Sequence, residues 1–271
     1  MHGKFLLVAG ISLICAVAPG QIPPPLINPV GTANTDPAAL HPDATVDEVL
    51  DALQARGQNL KEFVADVQLT DTDITMGDSS KRIGKVWYQV KSDGNARMHI
   101  LFEKKIVGDK PPKDDRKEYL LEDGWALDRD YRAKNEVRYQ IARPGEKMNL
   151  FQLGKGAFPL PIGQDKNDVH AMFAVSKVPA DKSGPLNAIH LQLVPKPKTD
   201  FERKFSAIDV WVDLGSKMPV RISTEDRNQT TQQQTDLENM IVNPKPGLIE
   251  ENFVVPPVDD KGWNRHEEPL P

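Results

Sequence analysis

The feature that most constrains this fold is a series of short segments in which every second residue is apolar, separated by turns. The first segment covers residues 63–70, where the alternation runs from Phe63 to Leu69. A period of two is typical of a strand with one buried face. Further segments of this kind are predicted as strands at 83–91, 96–103, 117–122, 125–130, 136–142, 187–194, 205–213, 218–225, 230–242 and 252–255.

Turn-forming residues such as Asp123-Gly124 join these segments, which favours antiparallel hairpins between consecutive strands. A parallel sheet would need a helix in each connection. The sequence therefore predicts a mainly β fold, with one large antiparallel sheet of about eleven strands. A twisted sheet of that size tends to curl, and curling leaves a concave apolar face.

Two short amphipathic helices are predicted, and they are the natural cover for that face. The first spans residues 45–56, begins at a capping box formed by Thr45 and Glu48, and ends before Gly57. Its apolar stripe consists of Val46, Val49, Leu50 and Leu53. The second begins at Asp165 or Asn167, and its apolar face consists of Val169, Met172 and Phe173.

The N-terminus is typical of an exported protein. Residues 1–20 combine an early positive charge, an apolar run too short to span a bilayer, and small residues before Gln21. We interpret them as a cleavable secretory signal peptide, with an uncleaved membrane anchor as the alternative. The one cysteine, Cys15, lies within the apolar run directly after Ile14, which does not suit a lipidation site.

The rest of the chain is predicted to contain one folded domain. Residues 21–43 hold six prolines and little periodicity, which indicates an extended linker. The domain follows at residues 44–265, and residues 266–271 form a C-terminal tail. With the signal peptide removed, we expect the protein in the periplasm.

Neither charge nor motifs indicate an enzyme or a nucleic-acid-binding protein. The net charge is −5, whereas nucleic-acid binders carry a basic balance. The six histidines lack metal-ligand spacing, and the sequence has no nucleophile elbow, P-loop or dinucleotide-binding glycine motif. We therefore expect no catalytic residue, metal site, cofactor or nucleic-acid partner.

The stretch Lys110–Lys117 is dense in charge, with four basic and two acidic residues among eight. Its two prolines and its charges favour a solvated hairpin turn. Docking of a partner protein is the alternative interpretation.

The order of these features resembles the outer-membrane lipoprotein carrier (LolA-like) family. The similarity covers about residues 45–263 and is strongest at 186–258. The motifs that carry it are Gly84-Lys-Val-Trp87, Glu122-Asp123-Gly124, Leu191-Gln-Leu193-Val-Pro195-Lys196, the strand from Phe201 to Val212, Pro219 to Asp226 with Thr230-Thr-Gln, Asn243-Pro-x-x-Gly, and Glu251 to Asp259. The chain departs from the family at Lys91-Ser92-Asp93, where the family has Arg-Pro, and its arginine comes later as Arg97.

The resemblance implies an unclosed half-barrel whose apolar cavity lies under lid helices. It implies a monomeric periplasmic carrier of acylated lipoproteins or other lipids, which membrane-bound donor and acceptor proteins serve. A basic residue of the family is implicated in lid closure and cargo release, and the candidates here are Lys91 and Arg97. The predicted cavity lining consists of Phe63, Val67, Leu69, Val86, Tyr88, Met98, Ile100, Leu191 and Leu193, and the predicted lid underside of Val49, Leu53, Met172 and Phe173.

Two other functions stay open at this level. The main alternative is a non-carrier envelope module of the same fold, which senses or binds a protein partner. The other is an envelope hydrolase, which needs a polar site in the cavity that the sequence does not reveal. An apolar lining favours the carrier, and convergent histidines or carboxylates would favour the enzyme.

Overall fold

The computed structural model describes residues 39–143, 145–146, 150–151, 162–180, 183–259 and 261–270. The predicted signal peptide and most of the predicted linker lie outside these residues. Within them, no helix is long and apolar enough to cross a membrane.

Two α-helices, a short 3₁₀ helix and twelve strands make up the described part of the chain. The helices are α1 (Val46–Asn59) and α2 (Lys166–Met172), and the 3₁₀ helix is Glu250–Phe253. The strands are β1 (Glu62–Asp73), β2 (Asp78–Val90), β3 (Ala96–Val107), β4 (Lys113–Glu122), β5 (Trp125–Asp130), β6 (Asn135–Gln140), β7 (Phe173–Val178), β8 (Ala188–Pro195), β9 (Phe205–Asp213), β10 (Pro219–Asp226), β11 (Thr231–Val242) and β12 (Asn264–Glu268).

All twelve strands belong to one sheet, in the order β12-β6-β5-β4-β3-β2-β1-β11-β10-β9-β8-β7. Strands β1 to β6 and strands β7 to β11 form two antiparallel meanders, which the pairing of β1 with β11 joins. Strand β12 pairs in parallel with β6. The sheet is curled and unclosed, which confirms the predicted mainly β half-barrel with few helices.

Strand β1 shows how the sheet acquires one apolar face. Phe63, Ala65, Val67 and Leu69 are buried, and the residues that alternate with them are partly exposed. The register carries this face across the sheet, because Phe63 lies opposite Tyr88 and Tyr88 lies opposite Met98. We call it the inner face. Each large apolar side chain that it buries contributes about 1.5–3 kcal/mol to folding.

Helix α1 begins at the predicted capping box. The Thr45 hydroxyl accepts a hydrogen bond from the Glu48 amide, and the Glu48 carboxylate accepts one from the Thr45 amide. The helix continues past the predicted end, however, and Gly57 lies inside its last turns. The reason is close packing, because a Cβ atom on Gly57 would lie 2.3 Å from the Cα atom of Gly163.

Ten of the eleven predicted strands are present, and the prediction at 252–255 is wrong. That segment begins in the 3₁₀ helix, where the Asn252 side chain accepts a hydrogen bond from the Ile249 amide. Two strands were not predicted. Strand β7 continues directly from α2, and β12 has five exposed residues and no apolar alternation. Strand β12 also extends past residue 265, the predicted end of the domain.

The predicted turn at Lys110–Lys117 is shorter than expected. Strand β4 already begins at Lys113, and the side chains of Asp115 and Lys117 are buried. They are stable there because each has an ion partner, Arg82 for Asp115 and Asp128 for Lys117.

We predict that Gly57→Ala destabilises the protein, although alanine is the better helix former by about 1 kcal/mol. The added methyl group would overlap the backbone of Gly163, and such overpacking costs about 1–3 kcal/mol. Chemical denaturation measures the change in the free energy of unfolding. Gly215→Ala is the control, since the nearest atom to its Cβ would be 3.5 Å away. Equal stability of the two variants would contradict the tight packing of α1.

Candidate functional site

The predicted cavity residues all lie on the inner face of the sheet. Each of the nine is at most 8% exposed, and Leu191 and Leu193 on β8 are fully buried. The strand register explains this, because every one of them is at an inward position of its strand. The structure therefore brings the set together on one apolar surface.

Aromatic side chains fill the covered part of this surface. The Phe63 ring stacks on Tyr88 with centroids 5.3 Å apart, and Phe151 approaches Tyr88 at 4.9 Å. Burial raises the pKa of Tyr88 to about 12, so its hydroxyl stays neutral. The inner face is thus closed by the protein's own side chains in this structure.

The predicted lid residues divide between two elements. Val49 and Leu53 are fully buried on the underside of α1, as the stripe predicts. In α2 the buried residue is Val169, and Met172 is only half-buried. Phe173 is fully buried but begins β7, where its ring packs 4.8 Å from Phe201. Helix α2 ends one residue earlier than its apolar pattern suggested.

Polar contacts at the surface link α1 to α2. His170 Nε2 lies 2.9 Å from Asp47 Oδ1, and the hydrogen bond from His170 holds the pKa of Asp47 below its usual range. The Lys166 ammonium donates to Asp51 at 2.8 Å. Exposed pairs of this kind add little to stability because water and salt screen them. The two helices are therefore joined at the surface by weak polar contacts, and the apolar side chains of each helix are buried underneath.

The two candidate release residues lie away from the inner face. Arg97 alternates with the inward-facing Met98 and so projects from the opposite, outer face. Its guanidinium contacts Glu250 at 2.8 Å and stands 3.9 Å above the ring of Phe253. Lys91 forms its ion pair with Asp123 in the adjacent turn. The contacts of Arg97 fasten the segment that contains Glu250 and Phe253 to the sheet. The role of either residue in cargo release stays an untested prediction.

Sequence reasoning missed a row of buried polar residues beneath that C-terminal segment, which we define as residues 248–259. His99 Nδ1 lies 2.6 Å from the carbonyl oxygen of Asn252, and Nε2 lies 2.9 Å from the Glu118 carboxylate. Arg129 donates to the carbonyl oxygen of Pro256 at 2.6 Å. Charged residues at alternate positions of β3 to β5 were the only signal, and a solvated face gives the same pattern.

Two pockets open outside the inner face. The larger has a volume of about 360 Å³, and the residues around it include Leu120, Trp125, Leu127 and Val255. The smaller, about 100 Å³, lies beside the turn at Asp123. Among the described residues, no group of three or more His, Cys, Asp or Glu is arranged to hold a metal ion.

We predict that Glu118 stabilises the fold at neutral pH and not in acid. Burial acts to raise the pKa of Glu118, but hydrogen bonds from His99 and Tyr131 outweigh it and hold the pKa below its usual value. A lowered pKa in the folded state gives stability that is present above about pH 4.5 and is lost as pH falls through the folded value. Glu118→Gln should therefore cost about 1–3 kcal/mol at pH 7.

The measurement is urea denaturation of both proteins between pH 7 and pH 3. The stability difference should narrow as the pH falls, because the parent then loses the charge that the variant lacks. Glu103→Gln is the control, since Glu103 is exposed. A difference that stays constant with pH would show that the ionised carboxylate is not the stabilising form.

The fold has similarities among solved structures, although no family model and no curated protein matches the sequence. A MucA/MucB complex from Pseudomonas aeruginosa is 12% identical, with a TM-score of 0.44 over 78% of this chain and 60% of that one. The chain thus spans about 60% of that protein's length. An uncharacterised conserved protein from Thermus thermophilus is also 12% identical, with a TM-score of 0.45 over 82% and 98%.

A LolA superfamily protein from Nitrosomonas europaea is 11% identical, with a TM-score of 0.32 over 78% of this chain and 98% of that one. The curled, unclosed sheet with its few short helices agrees with the half-barrel that the sequence resemblance implies.

Proposed function

We propose that this protein binds the acyl chains of lipids or acylated lipoproteins on its inner face and carries them through the periplasm. One observation carries the proposal: the nine predicted lining residues share one buried apolar face, and the apolar undersides of two short helices are buried as well. Eight of its nine predicted lining residues have no polar group able to ionise, and the ninth, Tyr88, stays neutral. Such a lining suits a hydrocarbon ligand.

The free energy gained when an acyl chain leaves water favours replacement of the side chains that cover the inner face. An acyl chain gains about 0.8 kcal/mol for each methylene group that it removes from water. The covering side chains of α1, such as Val49 and Leu53, now occupy that place. Binding therefore requires α1 and α2 to move, and the ligand stabilises the open state by its greater affinity for it.

The N-terminal sequence supports the location and the route. A cleavable signal peptide at 1–20 delivers the domain to the periplasm, and the proline-rich linker precedes it. A monomer with a closed inner face protects its cargo from water between membranes. Membrane-bound donor and acceptor proteins complete the cycle by loading and unloading it.

A protein-binding envelope module is the second candidate, and the outer face favours it. The pocket of about 360 Å³ is lined by apolar residues such as Leu120, Leu127 and Val255 together with charged ones. Val254, the sequence neighbour of Val255, is 52% exposed, and Ile249 of the same segment is 58% exposed. Exposed apolar groups beside a pocket are typical of an interaction site.

Native mass spectrometry of the protein purified from the periplasm of its host tests the carrier. We expect a stoichiometric acylated species that solvent extraction removes, and its mass identifies the cargo. A mass without ligand, together with no uptake of a fluorescent fatty acid, would overturn the carrier and favour the module.

We also predict that Val67→Phe weakens uptake of a fluorescent fatty acid by roughly tenfold. The larger side chain takes the space of about two methylene groups, each worth about 0.8 kcal/mol. Val64→Phe is the matched control, because Val64 projects from the other face of the same strand. Fluorescence titration measures both affinities, and thermal melts confirm that both variants fold. Equal affinities for the two variants would argue against binding on the inner face.

A further inference from the structure

The inner face changes character at the end remote from α1. Arg82 lies opposite Leu69, and Lys117 lies opposite Phe102, so both cations share the face of the apolar lining. They are 7% and 6% exposed. Their carboxylate partners lie on the same sheet, with Asp115 2.6 Å from Arg82 and Asp128 3.3 Å from Lys117.

These two buried cations retain hydrogen-bonding capacity. A guanidinium has five N–H donors and an ammonium has three. Among the described residues, Arg82 directs one nitrogen to Asp115, and Lys117 meets only Asp128 and the face of the Tyr119 ring, 5.1 Å away. Asp115, in contrast, is approached by Arg132 as well, at 3.8 Å. The remaining N–H donors of Arg82 and Lys117 can therefore bind an anionic acceptor in addition to these carboxylates.

The polar end and the apolar lining are continuous. Leu69, opposite Arg82, and Phe63, in the aromatic cluster, are both inward residues of β1. Six residues of strand separate them, which is roughly 20 Å. A long acyl chain that extends along this strand would place one end beneath α1 and the other beside the two cations.

We propose that the ligand is an acidic amphiphile, whose carboxylate or phosphate head binds Arg82 and Lys117 while its chain lies along the inner face. This inference rests on the proposed function and names the ligand class for the same site. A neutral lipid of equal chain length would bury the same hydrocarbon but would leave these donors unused.

When the acidic head of the ligand binds, it replaces Asp128 as the anion that pairs with Lys117. Burial raises the pKa of the Asp128 carboxyl, against the lowering effect of Lys117. The other ionisable groups that face Asp128 are Arg82, Asp130, Tyr119 and Tyr139. Loss of Lys117 as its partner would raise the pKa of Asp128 further, so protonation of Asp128 favours binding of the head. At a pH where the head stays ionised, affinity for an acidic amphiphile should therefore rise as the pH falls toward the pKa of Asp128.

The experiment compares three probes with the same hydrocarbon chain: palmitate, hexadecyl phosphate and hexadecanol. Calorimetric or fluorescence-displacement titrations of the full protein give each affinity. We expect the two acids to bind roughly tenfold or more tightly than the alcohol, as charge-assisted hydrogen bonds require. A preference for one acid over the other identifies carboxylate or phosphate as the natural head.

Variants separate the head site from the chain site. Lys117→Met should remove the preference for acids and leave the affinity for hexadecanol unchanged, whereas Lys104→Met, at an exposed lysine, should change neither. Asp128→Asn removes the competing anion without changing the side-chain shape. It should tighten the binding of acids and remove the part of the pH dependence that Asp128 contributes, while the part due to the acid head itself remains. This variant tests the head site even if Lys117→Met fails to fold.

The two proposals fail in different ways. Equal binding of acids and alcohol by the parent and by Asp128→Asn would overturn the head site and leave the acyl carrier standing. No binding of any of the three probes by the parent protein would overturn the carrier itself.

Discussion

The pairing of β1 with β11 is the contact on which the rest of the structure depends. Without it the chain would consist of two separate meanders, each with an exposed apolar face. The pairing joins two strands that are far apart in sequence, as the pair Phe63 and Val242 shows. It places β1 in the interior of one twelve-stranded sheet. Its alternation then decides which side of the whole sheet is apolar. The buried inner face and its helical cover follow from that one choice.

The two faces of the sheet bury different kinds of side chain. Around Phe63 and Tyr88 the inner face buries hydrocarbon, which needs no hydrogen-bond partner. The outer face buries polar groups at His99, Glu118 and Arg129, and each group is satisfied by a neighbour or by a carbonyl of the C-terminal segment. Leaving such groups unpaired is costly. These bonds fasten the C-terminal segment to the sheet, whereas the proposed carrier function requires α1 and α2 to move.

The elements predicted correctly are those whose signal is local. Thr45 and Glu48 lie three residues apart and form the capping box without help from the rest of the chain. Apolar and polar residues alternate in β1 over more than one helical turn. A helix does not have this period of two, so the pattern identifies a strand. Strand β12 had no such signal, since it is exposed on both sides and is held by pairing with β6. The segment at 252–255 had the apolar pattern of a strand, but Phe253 is buried against Arg97, and no strand in the described part of the chain pairs with it.

Three features could be predicted from the sequence: the apolar and polar faces of the strands, the capped start of α1, and the residues that share the inner face. Alternation and capping depend on neighbours within a few residues, so they are visible in the chain. Other features depend on tertiary contacts. Arg97 lies beneath the C-terminal segment, Gly57 lies against Gly163, and Arg82 and Lys117 are buried beside the apolar lining. A charged residue in a strand has the same local pattern whether water or a distant partner faces it. The distinction depends on contacts between remote parts of the chain.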